Sequence, residues 1–158
     1  MNDSRFPRRA VIALVALLTI TSCSLTEPKE DPVSTKRIEK SAQTDPAPVL
    51  ERTQGLPEDA DFLWYSGTLG SGAPGPSTYW VDARLSTTDE AMDDLRAQCP
   101  DGTVSEPDVV DELSRELVDE GYAECPAVAG EIAFKGWDTH VWISQNSPVM
   151  VITLVGQG

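Results

Sequence analysis

Hydrophobic periodicity along the chain predicts an α+β fold, in which an antiparallel sheet carries two helices on one face. Two strand-like runs come first, two amphipathic helical stretches follow, and three further strand-like runs end the sequence. Strands that follow each other directly favour antiparallel pairing, and helices grouped in one stretch of sequence favour a two-layer arrangement. The predicted order is therefore strand-strand-helix-helix-strand-strand-strand.

The first two strands are predicted over residues 62–69 and 79–85, paired as a hairpin. Residues 62–69 read FLWYSGTL, an aromatic run that ends in the Gly- and Pro-rich loop 70–76. Residues 79–85 alternate in polarity, which is typical of a strand with two different environments on its faces. One face carries Tyr79, Val81, Ala83 and Leu85, and the other carries Trp80, Asp82 and Arg84.

The first helix is predicted to begin directly after the hairpin. Thr87 and Glu90 have the spacing of a capping box, with Thr87 as the N-cap. Pro100 and Gly102 indicate where this helix ends. Its apolar positions are Ala91, Met92, Leu95 and Cys99.

A second helix is predicted from near Ser105 to Gly121. Pro107 falls in its first turn, a position that proline favours, and Gly121 is a typical helix end. Its apolar stripe consists of Val109, Val110, Leu113 and Leu117. Three strands are then expected over residues 131–135, 140–144 and 149–155, of which the last is apolar on both faces.

The N-terminus has the organisation of a secretory signal peptide over residues 1–22. Three arginines precede an apolar stretch, residues 10–20, that is about half the length needed to span a bilayer. The following residues Ile20, Thr21, Ser22 and Cys23 resemble the lipobox of bacterial lipoproteins. The resemblance implies cleavage before Cys23, a thioether-linked diacylglycerol on Cys23, and anchoring at the extracytoplasmic face of the cell membrane. An ordinary signal peptide with an incidental cysteine is the alternative.

Residues 23–55 are predicted to form the lipidated N-terminus and a flexible stalk, and residues 56–158 a single globular domain. From residue 24 to residue 55 there is no aromatic side chain and no hydrophobic period, and four prolines are spread along the segment. Such a stretch buries too little apolar surface to offset its ordering entropy.

The charge of the chain excludes two classes of partner. Twelve Lys and Arg stand against 26 Asp and Glu, for a formal charge of −14. An acidic chain of this kind is repelled by nucleic-acid phosphates and by anionic lipid head groups. Most of the acids fall in and around the two predicted helices, where they are expected to form a solvated outer face.

Cys99 and Cys125 are expected to form a structural disulfide. If Cys23 receives the lipid, these two remain as an even pair in an exported domain. A metal site is the alternative, but two thiols with the distant His140 make an incomplete zinc site. No metal and no cofactor are therefore expected.

Candidate chemistry in the domain is sparse. Asp138 and His140 would share a face of a strand, but no Gly-x-Ser-x-Gly nucleophile signature accompanies them. Trp80 and Trp142 fall opposite the aliphatic faces of their strands, where an open sheet face would offer an aromatic binding surface; the alternative places both in the core.

These features predict a lipid-anchored extracytoplasmic binding protein whose ligand, or protein or cell-envelope partner, is unspecified. A cell-envelope hydrolase is the alternative, using Asp138 and His140 or a strand carboxylate such as Asp82.

Overall fold

The computed structural model describes residues 35–57, 59–70, 77–117 and 121–157. The signal peptide, Cys23, the first part of the predicted stalk and most of the loop 70–76 lie outside these residues. The strands are β1 (Lys36–Ile38), β2 (Asp61–Leu69), β3 (Thr78–Ser86), β4 (Thr103–Val104), β5 (Tyr122–Glu124), β6 (Trp137–Ser144) and β7 (Val149–Gln157). The helices are α1 (Ala47–Leu50), α2 (Asp89–Ala97), α3 (Asp111–Ser114) and α4 (Pro126–Ile132).

The strands within the described residues form one antiparallel sheet with the order β1-β2-β3-β7-β6-β5-β4. The predicted hairpin is present, since β2 and β3 pair along their whole length with Gly67 opposite Trp80. Two of the three nine-residue strands, β3 and β7, lie side by side at the centre. The predicted α+β class and the antiparallel sheet are confirmed.

One face of the sheet carries the main core and is covered by α1, α2 and α4. The alternation predicted in β3 is confirmed here, because Val81, Ala83 and Leu85 all point into this core. Each covering helix contributes a buried side chain: Val49 from α1, Met92 from α2 and Val128 from α4.

The opposite face is covered as well, which makes the prediction of two helices on one face wrong. Residues 105–117, including α3, run across this second face, and Val110 and Leu113 are buried against Trp80. A second cluster forms around Trp142, with Val109 and Leu117 packed against it. The sheet therefore lies between helices on one side and an irregular covering segment on the other.

The first predicted helix is present as α2, with its cap shifted by one residue. The N-cap is Thr88, whose hydroxyl accepts from the Ala91 N–H at 3.2 Å, whereas the Thr87 N–H donates to the Pro148 carbonyl at 3.0 Å. At the other end, Arg96 donates to the carbonyls of Ser144 and Ser147. Arg96 thereby ties α2 to the turn between β6 and β7.

The second predicted helix, from Ser105 to Gly121, is reduced to the four residues of α3. Two hydrogen bonds hold the preceding segment extended: the Ser105 N–H donates to the Tyr122 carbonyl, and the Val110 N–H donates to the Asp82 carboxylate. A backbone held in this way cannot enter the helix before residue 110. Residues 118–120 lie outside the described residues.

The predicted strand 131–135 is also wrong, because these residues follow and partly form α4. Pro126 begins the helix at a position that needs no N–H donor, and Val128, Ala129 and Ile132 share its buried side. Ile132 and Phe134 do not share a buried strand face, because Ile132 is buried whereas Phe134 is exposed.

The predicted boundary between stalk and domain at residue 56 is wrong. Within the segment assigned to the stalk, β1 pairs with β2, and Val49 of α1 is fully buried in the main core. An Asp45 carboxylate oxygen accepts from the Ala47 N–H at 3.0 Å, and prolines lie in the first turn, so α1 has a local reason to form. The folded domain therefore includes residues 35–55.

Cys99 and Cys125 form a disulfide, as predicted. Their Cα atoms are 5.7 Å apart, which is within the usual range for a disulfide. The bridge joins the end of α2 to the start of α4.

We predict that replacing both cysteines, Cys99→Ser with Cys125→Ser, destabilises the domain by about 3.5 kcal/mol, because the bridge closes a loop of sequence separation 26. Urea unfolding of the variant measures this loss. Reduced wild-type protein is the matched control and should unfold at the same urea concentration as the variant. A loss below about 1 kcal/mol in both would show that the bridge does not restrict the unfolded chain.

Candidate functional site

Trp80 and Trp142 do not form the predicted binding surface, because both are buried. Trp80 is 0% exposed and Trp142 is 5% exposed. Each indole N–H has a partner: that of Trp80 donates to the Thr68 carbonyl at 3.1 Å, and that of Trp142 to the Ser105 hydroxyl at 3.0 Å. The alternative assignment of both to the core is confirmed, and the covering segment 105–117 is the physical reason.

His140 lies between two carboxylates on the second face of the sheet. Its Nδ1 is 2.9 Å from Glu124 Oε1 and its Nε2 is 3.7 Å from Asp138 Oδ2. The ring stacks on Trp142 at 5.8 Å between centroids, and the side chain is 48% exposed. Both nitrogens thus face acids, and among the described residues no hydroxyl or thiol nucleophile is recorded in hydrogen-bond contact with either of them.

Asp82 is a structural anchor at the centre of the second face. Both carboxylate oxygens are 2.9 Å from Lys36 Nζ, and Oδ2 also accepts from the Val110 N–H at 2.8 Å. Lys36 donates in addition to the Asp108 carbonyl at 2.7 Å. Burial raises the pKa of Asp82, and Lys36 and the Val110 N–H oppose that effect only in part. With a side chain that is 0% exposed, Asp82 is out of reach of a substrate.

A cleft on the helix-bearing face of the sheet, here called the aromatic cleft, combines exposed ring surface with charged groups. It encloses about 490 Å³ between α1, the residues after β1, and the ends of β2, β3 and β6. Its lining residues include Glu39, Lys40, Glu51, Arg52, Trp64, Tyr79 and Trp137.

The floor of the aromatic cleft depends on Gly156 in the central strand β7. Gly156 is paired with Tyr79 on one side and with Trp137 on the other. A Cβ at this position would lie 2.7 Å from the Trp137 ring, so only glycine lets the indole lie against the strand. The Arg52 guanidinium lies over the same indole, 5.5 Å from the ring centroid.

The walls of the cleft are held by hydrogen bonds to the backbone. The Trp64 indole N–H donates to the Asp45 carbonyl at 2.8 Å, which fixes the segment leading into α1. Arg52 Nη1 donates to the Pro48 carbonyl within the same turn. Tyr79 is the aromatic side chain of the cleft that is most open to solvent, at 40% exposure.

A larger cleft of about 750 Å³ lies on the second face, beside the Lys36–Asp82 pair. None of the described residues that border it is aromatic, and Asp108, Asp111 and Glu112 make its rim acidic. Lys36, the lysine among these described residues, is already bound to Asp82. We therefore take the smaller aromatic cleft as the candidate ligand site.

Comparison with protein-family models, curated proteins and solved structures finds no match for this chain. The described residues contain no group of three or more His, Cys, Asp or Glu side chains placed to hold a metal ion. None of the helices in the described ranges has the length and apolar character needed to cross a bilayer.

Sequence patterns alone missed the aromatic cleft for two reasons. The alternation in β3 predicts that Tyr79 lies on the helix-bearing face. The neighbouring residues do not reveal that the helices leave this end of the sheet uncovered. Arg52 was assigned to the stalk, although Asp45 followed by two prolines is a recognisable helix start.

We predict that Lys36→Met destabilises the domain by about 3 to 5 kcal/mol near pH 7, because it leaves the buried Asp82 carboxylate without its counter-ion. Without the lysine the pKa of Asp82 rises further, so the folded variant binds a proton more tightly than the unfolded chain. The deficit relative to wild type should therefore shrink as the pH falls through that raised pKa. Urea unfolding at about pH 7 and about pH 4 measures both effects.

Lys40→Met is the matched control, because Lys40 is exposed and forms no ion pair with the other described residues. It should change the free energy of unfolding by no more than about 0.5 kcal/mol. The assigned role of the pair would be contradicted if Lys36→Met lost no more free energy of unfolding than the control variant, or if its loss grew on acidification.

Proposed function

We propose that the protein is a lipid-anchored, extracytoplasmic binding protein whose aromatic cleft holds the pyranose ring of a cell-envelope glycan. The observation that carries this proposal is the exposed Tyr79 ring, set beside Trp137 on a floor of β-strand in a cleft of about 490 Å³. A cleft of this size is within the usual range for small-ligand sites.

The chemistry of the cleft suits a sugar. A pyranose has an apolar face of C–H groups that packs against an aromatic ring, while its hydroxyl rim requires hydrogen-bond partners. Tyr79 offers the ring, and Glu39, Lys40 and Arg52 offer polar groups at the edge of the same cleft.

The proposed location follows from the lipobox resemblance. A diacylglycerol on Cys23 would hold the chain at the membrane surface, since two acyl chains give stable anchoring. Roughly a dozen residues separate Cys23 from Lys36 of β1, and a chain of that length spans at most about 40 Å. The aromatic cleft would therefore work close to the membrane, where its partners are envelope components rather than nucleic acids.

The alternative of an envelope hydrolase is not carried forward. Asp82 is enclosed and bound by Lys36 and Val110, and the ring nitrogens of His140 face Glu124 and Asp138. Asp82 is therefore out of reach of a substrate, and His140 has no hydroxyl or thiol nucleophile in hydrogen-bond contact among the described residues. Binding is the function that the described groups support.

We predict that Tyr79→Ala weakens binding of N-acetylglucosamine at least about tenfold, because the substitution removes the ring against which the sugar packs. Isothermal titration or saturation-transfer NMR with the full-length protein measures the affinity. Phe134→Ala is the matched control, since Phe134 is exposed to a similar degree outside the cleft. Equal affinity of both variants, or no binding of the sugar by wild type, would refute the site.

Anchoring has an independent test in the intact mass of the protein from the membrane fraction. The mature chain should begin at Cys23 and carry the mass of a diacylglycerol. Cys23→Ala should remove both the added mass and the association with the membrane. A soluble wild-type chain, or an unmodified chain that begins at Cys23, would contradict the lipid anchor.

A further inference from the structure

We propose that the aromatic cleft selects sugars that carry a carboxylate beside the ring, and that the guanidinium of Arg52 binds this carboxylate. The inference rests on the proposed sugar-binding function and names the chemistry of the ligand within the same cleft. It is carried by the position of Arg52, its hydrogen-bonding state and the charge around it.

Arg52 is held in place before any ligand arrives. Its guanidinium lies over Trp137 at 5.5 Å, and Nη1 donates to the carbonyl of Pro48 in α1. Little side-chain entropy then remains to be lost when a ligand binds, which favours affinity. Because a guanidinium is planar, its remaining N–H groups point outward in its own plane.

Most of the donor capacity of Arg52 is unused by the part of the chain that the structure describes. A guanidinium has five N–H donors, and the bond to Pro48 is the hydrogen bond recorded for this side chain among those residues. The nearest carboxylate is that of Glu51, with 3.9 Å between Nη1 and Oε2, which is too long for a hydrogen bond. Glu51 is also 76% exposed, so water screens its attraction.

The acids at the cleft repel an incoming anion less than their number suggests. Glu39 Oε1 accepts from the Thr68 hydroxyl at 3.0 Å, which directs that oxygen to β2. Lys40 also borders the cleft and is not ion-paired with any described residue, so two cations balance the two acids there. In a chain of formal charge −14, this is a favourable place for a carboxylate.

A carboxylate is the group that Arg52 fits best. The planar fork of a guanidinium binds the two oxygens of a carboxylate side by side, with a geometry that a hydroxyl or an acetamide cannot reproduce. N-acetylmuramic acid and N-acetylglucosamine form a matched pair of probes for this preference. They share the ring and the acetamido group, and N-acetylmuramic acid adds a lactyl ether with a free carboxylate.

The test is isothermal titration of the full-length protein with both sugars. Wild type should bind N-acetylmuramic acid about tenfold more tightly than N-acetylglucosamine, and the preference should weaken in high salt. Arg52→Gln should remove the preference, so that this variant binds the two sugars with equal affinity. Arg52→Lys should restore part of it, because the charge returns without the fork.

The matched control is Arg37→Gln, because Arg37 is an exposed arginine of β1 that does not border the cleft. This variant should keep the full preference. The methyl ester of N-acetylmuramic acid, titrated into unmodified protein, tests the same point without any substitution and should bind like N-acetylglucosamine.

The outcomes separate the two proposals. If wild type binds both sugars equally, or if the preference survives in Arg52→Gln or in the methyl ester, Arg52 is not the carboxylate site while sugar binding stands. Loss of both sugars in Arg52→Gln would assign the residue to holding Trp137 and would also overturn the inference. If neither sugar binds to wild type, the proposed function itself fails.

Discussion

The ion pair between Lys36 and Asp82 is the interaction on which the arrangement of the domain depends. It joins the first strand of the sheet to the centre of the second face, and through the Val110 N–H it also holds the segment that covers this face. A carboxylate at this depth is costly unless every partner is in place, and burial accordingly raises the pKa of Asp82. The pair therefore specifies where β1 and the covering segment must lie, rather than simply adding stability.

The aromatic cleft follows from the position of β1. Immediately after this strand come Glu39 and Lys40, which form one side of the cleft, and the chain then passes Trp64 on its way into α1. Helix α1 in turn brings Arg52 over Trp137. A lysine and an aspartate on one face of the sheet thus fix the strand from which the chain continues into a site on the other face.

Local sequence patterns predicted the elements that form through interactions between neighbouring residues. They failed for elements that depend on contacts between residues distant in sequence. The alternation around Tyr79 and the helix α2 could be derived from neighbouring residues, and the pairing of Cys99 with Cys125 from the number of cysteines. The position of Lys36 could not, because its partner lies 46 residues away. Asp82 also explains why the predicted helix does not form before Val110. The Val110 N–H donates to Asp82 and is therefore not available to a helix. The aromatic cleft was missed for the related reason that residues far apart in sequence, from Glu39 to Trp137, build it.

The central claim is that the ligand site is the aromatic cleft and not the face that contains Asp82 and His140. The most direct measurement is a map of backbone and indole chemical-shift changes in the full-length protein during titration with N-acetylmuramic acid. We expect the changes to concentrate at Tyr79, at the Trp137 indole N–H and around Arg52, on the floor and one wall of the cleft. Changes concentrated around His140, or no change at saturating sugar, would contradict it.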